Sequence, residues 1–308
     1  MKAMIKRPAL VVAIMTAVAC VMGYLGENAN GQTKESSNVA TSPEGNKVTL
    51  GAYGRYTEVN GLKMYYEIQG SGQLLVLLHG AFGFNEGWAT VLPSLIKTHQ
   101  VIAIESEGHG HTRDLDRPLT YEQMAEDTAA LLRQLNVKGA DFFGYSMGGI
   151  TALGVAIRHP ELVRKLAILG SCAGPPKDTF EPESYKQYQN LSVDFAPRVL
   201  KEPYDRMAPD PTRWPILVTK IKNLGRDFKG YSSAELKTIK AQTLIMMGDR
   251  DGIRPEHAVE MYRLIPNAQL ALFPGEDHFM LWTSSEKVLS TLVPFLDAPL
   301  PEQKKIGG

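Results

Sequence analysis

The chain has 308 residues, equal numbers of basic and acidic side chains, 33 of each, and only two cysteines. This balance excludes the basic surface that nucleic-acid-binding proteins normally carry, so we expect no nucleic-acid partner. The cysteine count excludes a disulfide-rich framework. Once the N-terminal segments are set aside, about 250 residues remain, enough for one large domain with a full core.

The first 31 residues are typical of a secretory signal peptide. Three basic residues precede an apolar run over 8–25, and small residues before Gln32 offer a cleavage site. We therefore expect export, to the periplasm or the medium. A lipid on Cys20 and an uncleaved anchor stay open as alternatives, because the run is about as short as a membrane span can be. Residues 32–54, rich in small and polar side chains, are predicted to be a flexible leader.

The folded domain, predicted over 55–300, opens with a β-hairpin. The β-prone runs RYTEV and LKMYYEI flank an Asn-Gly pair, the strongest short hairpin signal. Continuous apolar runs at 74–80 and 101–105 fit buried strands of a parallel sheet. Residues 120–136 have apolar side chains at helical spacing, and Thr120 followed by Gln123 predicts a capping box at the start of that helix.

Strands and helices continue to alternate. Four further strands are predicted at ADFFGYS, KLAILGS, QTLIMMG and QLALFP, and the last helix covers about 284–296. This order predicts an α/β fold, a mostly parallel sheet with helices on both faces, whose active residues lie at the carboxyl ends of the strands. Residues 173–240 interrupt the alternation and are rich in proline and aromatic residues. Because structureless loops of that length are uncommon, we predict a small helical cap there. Residues 301–308 form a tail.

A G-x-S-x-G motif, Gly144-Tyr145-Ser146-Met147-Gly148, lies between a predicted strand and a predicted helix. This context predicts a tight elbow that presents Ser146 as a nucleophile. Glycines are needed on both sides because a Cβ would clash where the strand and the helix approach. The start of the helix also offers free N–H groups to developing negative charge.

A serine hydroxyl needs a base, and the expected chain order is serine, acid, histidine. His278 follows a predicted strand, whereas His159 and His257 lie at the end of a helix and inside one. Asp251 is favoured as the acid because it lies past the end of the preceding strand. Asp249 stays the alternative, although its place next to the strand suits backbone hydrogen bonds within the loop.

Two backbone amides are expected to stabilise an oxyanion. One is the N–H of Met147. The other belongs to the loop HGAFGF after the first core strand, with Ala81 favoured and Phe82 the second candidate. His79 precedes the serine and ends a buried strand, so we predict that it braces this loop by hydrogen bonds.

Large apolar side chains near these motifs predict a pocket for an uncharged or weakly polar group. The candidate substrate-binding residues are Phe82, Phe84 and Tyr145, with Met147 and Trp88 beside them. Core packing is the alternative role for most of them, above all for Trp88.

The stretch ESEGHGHTRD, residues 105–114, looks at first like a metal site, because carboxylates and imidazoles alternate in it. Two flexible glycines and the lack of a cysteine partner do not secure convergence of these ligands. We therefore expect no metal and no other cofactor, and we expect Glu107 to form an ion pair with His109.

The motifs HGAFG, GYSMGG, GDRDGIRP and GEDHF occur in an order that resembles the α/β-hydrolase superfamily, over residues 55–297. The serine at the elbow resembles the branch of carboxylesterases, lactonases, carbon–carbon bond hydrolases and cofactor-free haloperoxidases. The resemblance implies a triad of Ser146, Asp251 and His278, with Ala81 and Met147 at the oxyanion positions.

The stretch ESEGHG resembles the D-x-R-G-x-G-x-S loop of that superfamily. Glu105 stands where aspartate is usual, and Glu107 stands where arginine is usual. The match implies that this stretch is a structural loop.

The expected function is that of a serine hydrolase acting on a small to medium carboxylic ester or lactone through an acyl-enzyme. Three other activities of the same triad stay open: a carbon–carbon bond hydrolase, an enol-lactonase and a cofactor-free perhydrolase. A ligand-binding receptor on a hydrolase fold is the alternative from another class. The expected partner is a small-molecule substrate, with no membrane contact beyond an N-terminal anchor or lipid.

Overall fold

The computed structural model describes residues 38–41, 47–50, 53–194 and 198–300. The predicted signal peptide and the tail over 301–308 lie outside them. Within the predicted flexible leader, Asn38–Thr41 (β1) pairs with Lys47–Leu50 (β2) in a separate antiparallel sheet, so part of that stretch has regular structure. In the described ranges, every helix is too short or too polar to cross a membrane.

An eight-stranded sheet forms the centre of the domain. Its strands are β3 (Gly54–Val59), β4 (Leu62–Gly70), β5 (Gln73–Leu78), β6 (His99–Ile104), β7 (Ala140–Tyr145), β8 (Val163–Leu169), β9 (Gln242–Gly248) and β10 (Ala268–Phe273). The order across the sheet is β10-β9-β8-β7-β5-β6-β4-β3. Strand β4 is antiparallel to β3 and β6, and all other neighbours are parallel. The predicted hairpin and the mostly parallel sheet are confirmed.

Helices cover both faces of this sheet, as predicted. They are α1 (Leu92–Leu95), α2 (Tyr121–Gln134), α3 (Met147–Arg158), α9 (Pro255–Leu264), α10 (Met280–Thr283) and α11 (Ser285–Asp297). One apolar core joins α2, α3 and α9 to one face, and a second joins α1, α10 and α11 to the other. Because both faces are covered, β7 is buried along its whole length, which explains why its side chains are apolar apart from Asp141, whose carboxylate binds Arg164.

The start of α2 is capped by only half of the predicted box. The Thr120 hydroxyl accepts a hydrogen bond from the Gln123 backbone N–H. The Gln123 side chain, however, donates to the carboxylate of Asp127. The reciprocal bond of a capping box, in which the Gln123 side-chain oxygen would accept the Thr120 backbone N–H, is not formed, because the Gln123 side chain is directed to Asp127 instead.

The insertion at about 173–240 is built mostly of helices. They are α4 (Pro176–Thr179), α5 (Pro182–Gln189), α6 (Arg198–Met207), α7 (Trp214–Asp227) and α8 (Ser233–Leu236). Trp214 packs its ring between those of Phe82 in the core and Tyr204 in α6. The carboxylate of Asp114, in the core, binds both Arg213 and Lys220. Aromatic packing and ion pairs therefore hold this cap over the core.

Candidate active site

Ser146 lies on the turn between β7 and α3, with φ 51° and ψ −118°, a region that residues other than glycine rarely adopt. A Cβ on Gly144 would come 2.5 Å from the carbonyl oxygen of Gly148, and one on Gly148 would come 1.9 Å from that of Leu78. Glycine is therefore required at both positions. The tight turn holds the serine at the carboxyl end of the central strands.

The structure brings together the three side chains of the predicted triad. The Ser146 Oγ lies 3.0 Å from the His278 Nε2. The His278 Nδ1 lies 3.0 Å from both carboxylate oxygens of Asp251. Asp251 is buried, and one of its oxygens also accepts the backbone N–H of Ile253. This chain of contacts lets the imidazole take a proton from the serine while its other nitrogen faces a fixed carboxylate.

The environment of His278 sets its basicity. Burial by itself would lower the pKa of His278, but the charge and the hydrogen bond of Asp251 outweigh it and raise the pKa above 6.5. A raised pKa makes the imidazole a stronger base, which suits proton abstraction from a hydroxyl.

The other two acids near these loops have different partners. Asp249 is exposed, and its carboxylate accepts the backbone N–H of Gly275 at 2.7 Å. The Asp277 carboxylate accepts the backbone N–H of Phe279 at 2.8 Å. Both carboxylates therefore hold loop backbone, and Asp251 is the one that contacts the imidazole of His278.

The loop over residues 79–85, called the 79–85 loop, lies directly beside the nucleophile. A Cβ added to Gly80 would come within 3.2 Å of the Ser146 Cβ. Ala81 and Met147 line the same cavity as Ser146. Within the described residues, neither of their backbone N–H groups donates to a backbone carbonyl. Both amides are thus available to an oxygen bound beside the serine.

Ser146 and His278 open into a cavity of about 390 Å³ between the core and the cap. Its walls are largely apolar, and its large side chains include Phe82, Tyr121, Phe180, Tyr188, Ile221 and Phe228. The described residues that line it include no lysine and no arginine. The cap adds neutral polar side chains, those of Ser184, Gln187 and Asn190. Such a cavity suits an uncharged ligand.

Of the three predicted substrate-binding residues, only Phe82 lines this cavity. Phe84 and Tyr145 line a separate cavity of about 70 Å³ behind the 79–85 loop, together with Trp88. Tyr145 immediately precedes Ser146, and side chains alternate between the two faces of a strand. Its buried hydroxyl donates to the backbone carbonyl of His278 at 2.9 Å, so Tyr145 supports the loop that contains His278.

The sequence reasoning missed most of the residues that line the cavity. Tyr121 begins α2, Tyr188 lies in the cap, and Ile253 follows the β9 loop. The composition of the insertion indicated aromatic walls. No local pattern distinguishes the residues that face the cavity, because their direction depends on how cap helices pack on the core.

The carboxylates of ESEGHGHTRD have protein partners, and two of them, those of Glu107 and Asp114, share Lys220. Glu105 accepts hydrogen bonds from the backbone N–H groups of Asn85 and His111 and contacts the His111 ring. Asp114 is bound by Arg213 and Lys220 of the cap. In the ranges that the structure describes, no group of three or more such side chains has a geometry that could hold a metal.

The predicted ion pair between Glu107 and His109 is wrong. The Glu107 carboxylate binds Arg117 at 2.5 Å and lies 3.6 Å from Lys220. The His109 Nδ1 instead contacts the backbone carbonyl of Glu107 at 2.9 Å. Burial lowers the pKa of His109 to about 3, so its ring is neutral and offers no charge to pair. Of the two cations beside Glu107, Arg117 follows closely in the sequence and Lys220 comes from the distant cap.

Comparison with known proteins places this geometry in context. The family model described as "Alpha/beta hydrolase family" matches residues 75–291. A putative esterase/lipase of Haemophilus influenzae is 24% identical over 237 residues, which cover 70% of this chain and 78% of that protein. The 2-hydroxy-6-oxo-6-(2'-aminophenyl)hexa-2,4-dienoic acid hydrolase of Metapseudomonas resinovorans is 26% identical over 264 residues, covering 79% and 90%.

The solved structure of the enol-lactonase of Burkholderia xenovorans has a fold similar to that of this chain. The two share 24% sequence identity with a TM-score of 0.62, and the match covers 79% of this chain and all of that one. At this identity the likeness concerns the fold.

Proposed function

Because the chain belongs to the alpha/beta hydrolase family, and is therefore a hydrolase, we propose that it cleaves small or medium, uncharged carboxylic esters or lactones through an acyl-serine intermediate. The observation that carries this proposal is the Ser146–His278–Asp251 contact chain on the floor of an apolar cavity. The positions of the side chains support the following roles.

Ser146 is the nucleophile and His278 is its base. The unprotonated Nε2 of His278 accepts the proton of the Ser146 hydroxyl as Oγ attacks the substrate carbonyl carbon. Asp251 keeps the Nδ1–H tautomer in place and stabilises the imidazolium that forms. The imidazolium then gives its proton to the departing alkoxide oxygen, and the acyl group stays on Ser146.

The negative charge on the former carbonyl oxygen is stabilised by the Ala81 and Met147 amides. Met147 is the first residue of α3, where the backbone N–H groups have no partner within the helix and the helix dipole is positive. In the second half of the reaction, His278 takes a proton from water as the water oxygen attacks the acyl carbon, and it then gives that proton to the Ser146 Oγ as the bond to the acyl carbon breaks and the acid is released. Each half uses the same base and the same two amides.

The charge of the substrate is the property that distinguishes the proposed hydrolysis of esters or lactones from carbon–carbon bond hydrolysis at this site. The acid named for the Metapseudomonas resinovorans relative carries a carboxylate at neutral pH. A buried carboxylate is stabilised most strongly by a cation, and the described cavity lining has no lysine or arginine. An uncharged acyl group therefore fits this cavity better than a dienoate.

A matched pair of substrates tests this preference. p-Nitrophenyl methyl glutarate and mono-p-nitrophenyl glutarate have the same reacting ester, but only the second carries a distal carboxylate. We expect kcat/KM to be at least about 10-fold higher for the neutral diester, corresponding to about 1.4 kcal/mol. Equal or better turnover of the charged ester, or turnover of a vinylogous diketone acid with none of simple esters and lactones, would contradict the proposal.

Three variants test the assignment of the residues. Ser146→Ala should lower kcat by about 10⁴–10⁶-fold, and a fluorophosphonate should label the wild type at Ser146 and leave this variant unlabelled. Asp251→Asn should lower kcat by about 10³–10⁴-fold. Asp249→Asn is the matched control and should keep kcat within about threefold, because its carboxylate contacts only loop backbone. If Asp249→Asn alone cripples turnover, Asp251 is not the acid.

A further inference from the structure

The 79–85 loop contains a strained residue beside the nucleophile. Phe82 has φ +60°, the left-handed region that bulky side chains rarely adopt. The Gly83 N–H donates to the Gly80 carbonyl at 3.0 Å, so the chain turns tightly at the residues that follow His79. Strain of this kind persists only where the surroundings fix the backbone, so groups outside the turn must hold its shape.

Two adjacent residues of the 105–114 loop, Glu105 and Ser106, hold the two ends of the 79–85 loop. The Ser106 backbone N–H donates to the Nε2 of His79 at 3.1 Å, and the other nitrogen of that ring contacts the Gly80 carbonyl at 2.7 Å. At the far end, the Glu105 carboxylate accepts the backbone N–H of Asn85 at 2.9 Å. His79, Asn85 and Glu105 are all buried, so water does not compete for these bonds.

We propose that Glu105 is a positioning residue that fixes the 79–85 loop, and with it the Ala81 amide, for stabilisation of the oxyanion. The inference rests on the proposed function. Glu105 touches no reacting atom and acts through the backbone at Asn85. Its second oxygen accepts the His111 backbone N–H at 2.6 Å and contacts the His111 ring at 3.1 Å, so both oxygens are fixed and the carboxylate cannot rotate away.

The length of the Glu105 side chain contributes to this positioning. A Cβ on Gly110 would lie 2.3 Å from the Glu105 carboxylate, so the carboxylate occupies space that only glycine leaves open. Glu105 therefore spans from the end of β6 to both the 79–85 loop and the turn at His111. An aspartate at this position is one methylene shorter and cannot hold both contacts at these distances.

Glu105→Gln tests the proposal with little change of shape. An amide has one acceptor oxygen, so it cannot accept from both Asn85 and His111, and one backbone N–H is left without its partner. Small misplacement of a catalytic group costs up to about 10²-fold in rate. We expect kcat for the neutral ester to fall about 10–100-fold with KM unchanged within about threefold. A trifluoromethyl ketone, which forms an oxyanion on Ser146, should bind more weakly by the same factor as kcat falls.

Glu107→Gln is the matched control. It makes the same chemical change two residues along, at an equally buried carboxylate that binds Arg117 and has no contact with the 79–85 loop. It should lower the urea midpoint of unfolding but keep kcat and ketone affinity within about threefold. Glu105→Asp, which keeps the charge, is the second variant if Glu105→Gln does not fold, and it should lower kcat at unchanged KM.

The outcomes separate this inference from the proposed function. If the wild type turns over esters and Glu105→Gln matches it in kcat and ketone affinity once corrected for folded fraction, the positioning role is overturned. Equal losses in the Glu107→Gln control would overturn it as well. If the wild type neither hydrolyses esters or lactones nor binds the ketone, the proposed function itself fails.

Discussion

Glu86, in the 3₁₀ helix Asn85–Trp88, should make the stability of the protein depend on pH in an unusual direction. Its side chain is only 8% exposed, and its Oε2 has no hydrogen-bond partner in the described residues. Burial and the neighbouring charge of Glu105 raise the pKa of Glu86 from 4.5 to about 7. Between these values the folded protein keeps a proton that the unfolded chain has lost.

The size of the effect follows from that shift. The free energy of unfolding falls as pH rises when the folded state binds more protons. A rise in pKa from 4.5 to about 7 is worth about 3 kcal/mol, at about 1.4 kcal/mol per unit. This contribution is complete below pH 4.5 and is lost as the pH passes 7. The Glu86→Gln variant has no titrating group at this position. Its free energy of unfolding relative to that of the wild type should therefore rise by about 3 kcal/mol between pH 4.5 and pH 8.

Urea unfolding of both proteins at pH 4.5, 6 and 8 measures this difference. Any loss of stability caused by the buried, unpartnered amide of the Glu86→Gln variant is independent of pH, so it cancels when the difference between the two proteins is compared at different pH values. Glu235→Gln is a control, because the Ser232 hydroxyl lowers the pKa of exposed Glu235. The contribution of Glu235 to stability therefore changes below pH 4.5, and the difference between this variant and the wild type should stay nearly constant between pH 4.5 and 8. A relative gain for Glu86→Gln below about 1 kcal/mol, or a loss, would refute the reasoning.

Three other predictions follow from the same contacts. As the pH is lowered, kcat/KM of the wild type should fall with an inflection above pH 6.5, because protonated His278 cannot accept a proton. Asp251→Asn should move that inflection to lower pH. An inflection that stays in place would show that Asp251 does not set the pKa of His278. Asp114→Asn removes the nearer of two buried carboxylates beside Lys220 of the cap, the other being that of Glu107, and should cost about 2–3 kcal/mol in urea unfolding. A loss below about 0.5 kcal/mol would mean that the ion pair with Asp114 does not stabilise the cap. Lys165→Met removes a buried ammonium that donates to three carbonyls at the end of α11 and should cost about 2–4 kcal/mol, seen as a lower thermal midpoint.

The order of the strands and helices could be predicted because it depends on local patterns. Residues 74–78 are an unbroken apolar run and 140–145 are apolar except for Asp141, and such runs form buried strands whichever neighbours they acquire. The Gly144 position could be predicted too, since a strand and a helix that meet at a serine leave no room for a Cβ there. These conclusions need only a few consecutive residues.

The walls of the cavity could not be predicted in the same way. Phe84 and Tyr145 have the composition of substrate-binding residues, yet they line the smaller cavity, because the turn over 80–83 and the alternation of β7 set their directions. Tyr188 and Phe228 reach the main cavity from helices of the cap. Their positions depend on contacts between segments far apart in the chain, and local periodicity carries no information about those contacts.

The 105–114 loop shows why residue type alone does not identify a site. Its carboxylates are of the kind that bind metals, but each has a partner from elsewhere: Asn85 for Glu105, Arg117 for Glu107, and cap cations for Asp114. A buried carboxylate must be neutralised or hydrogen-bonded, and partners supplied by the fold satisfy that need as well as a metal does. The same loop thereby holds the 79–85 loop on one side and the cap on the other, so the two walls of the cavity at Ser146 share one support.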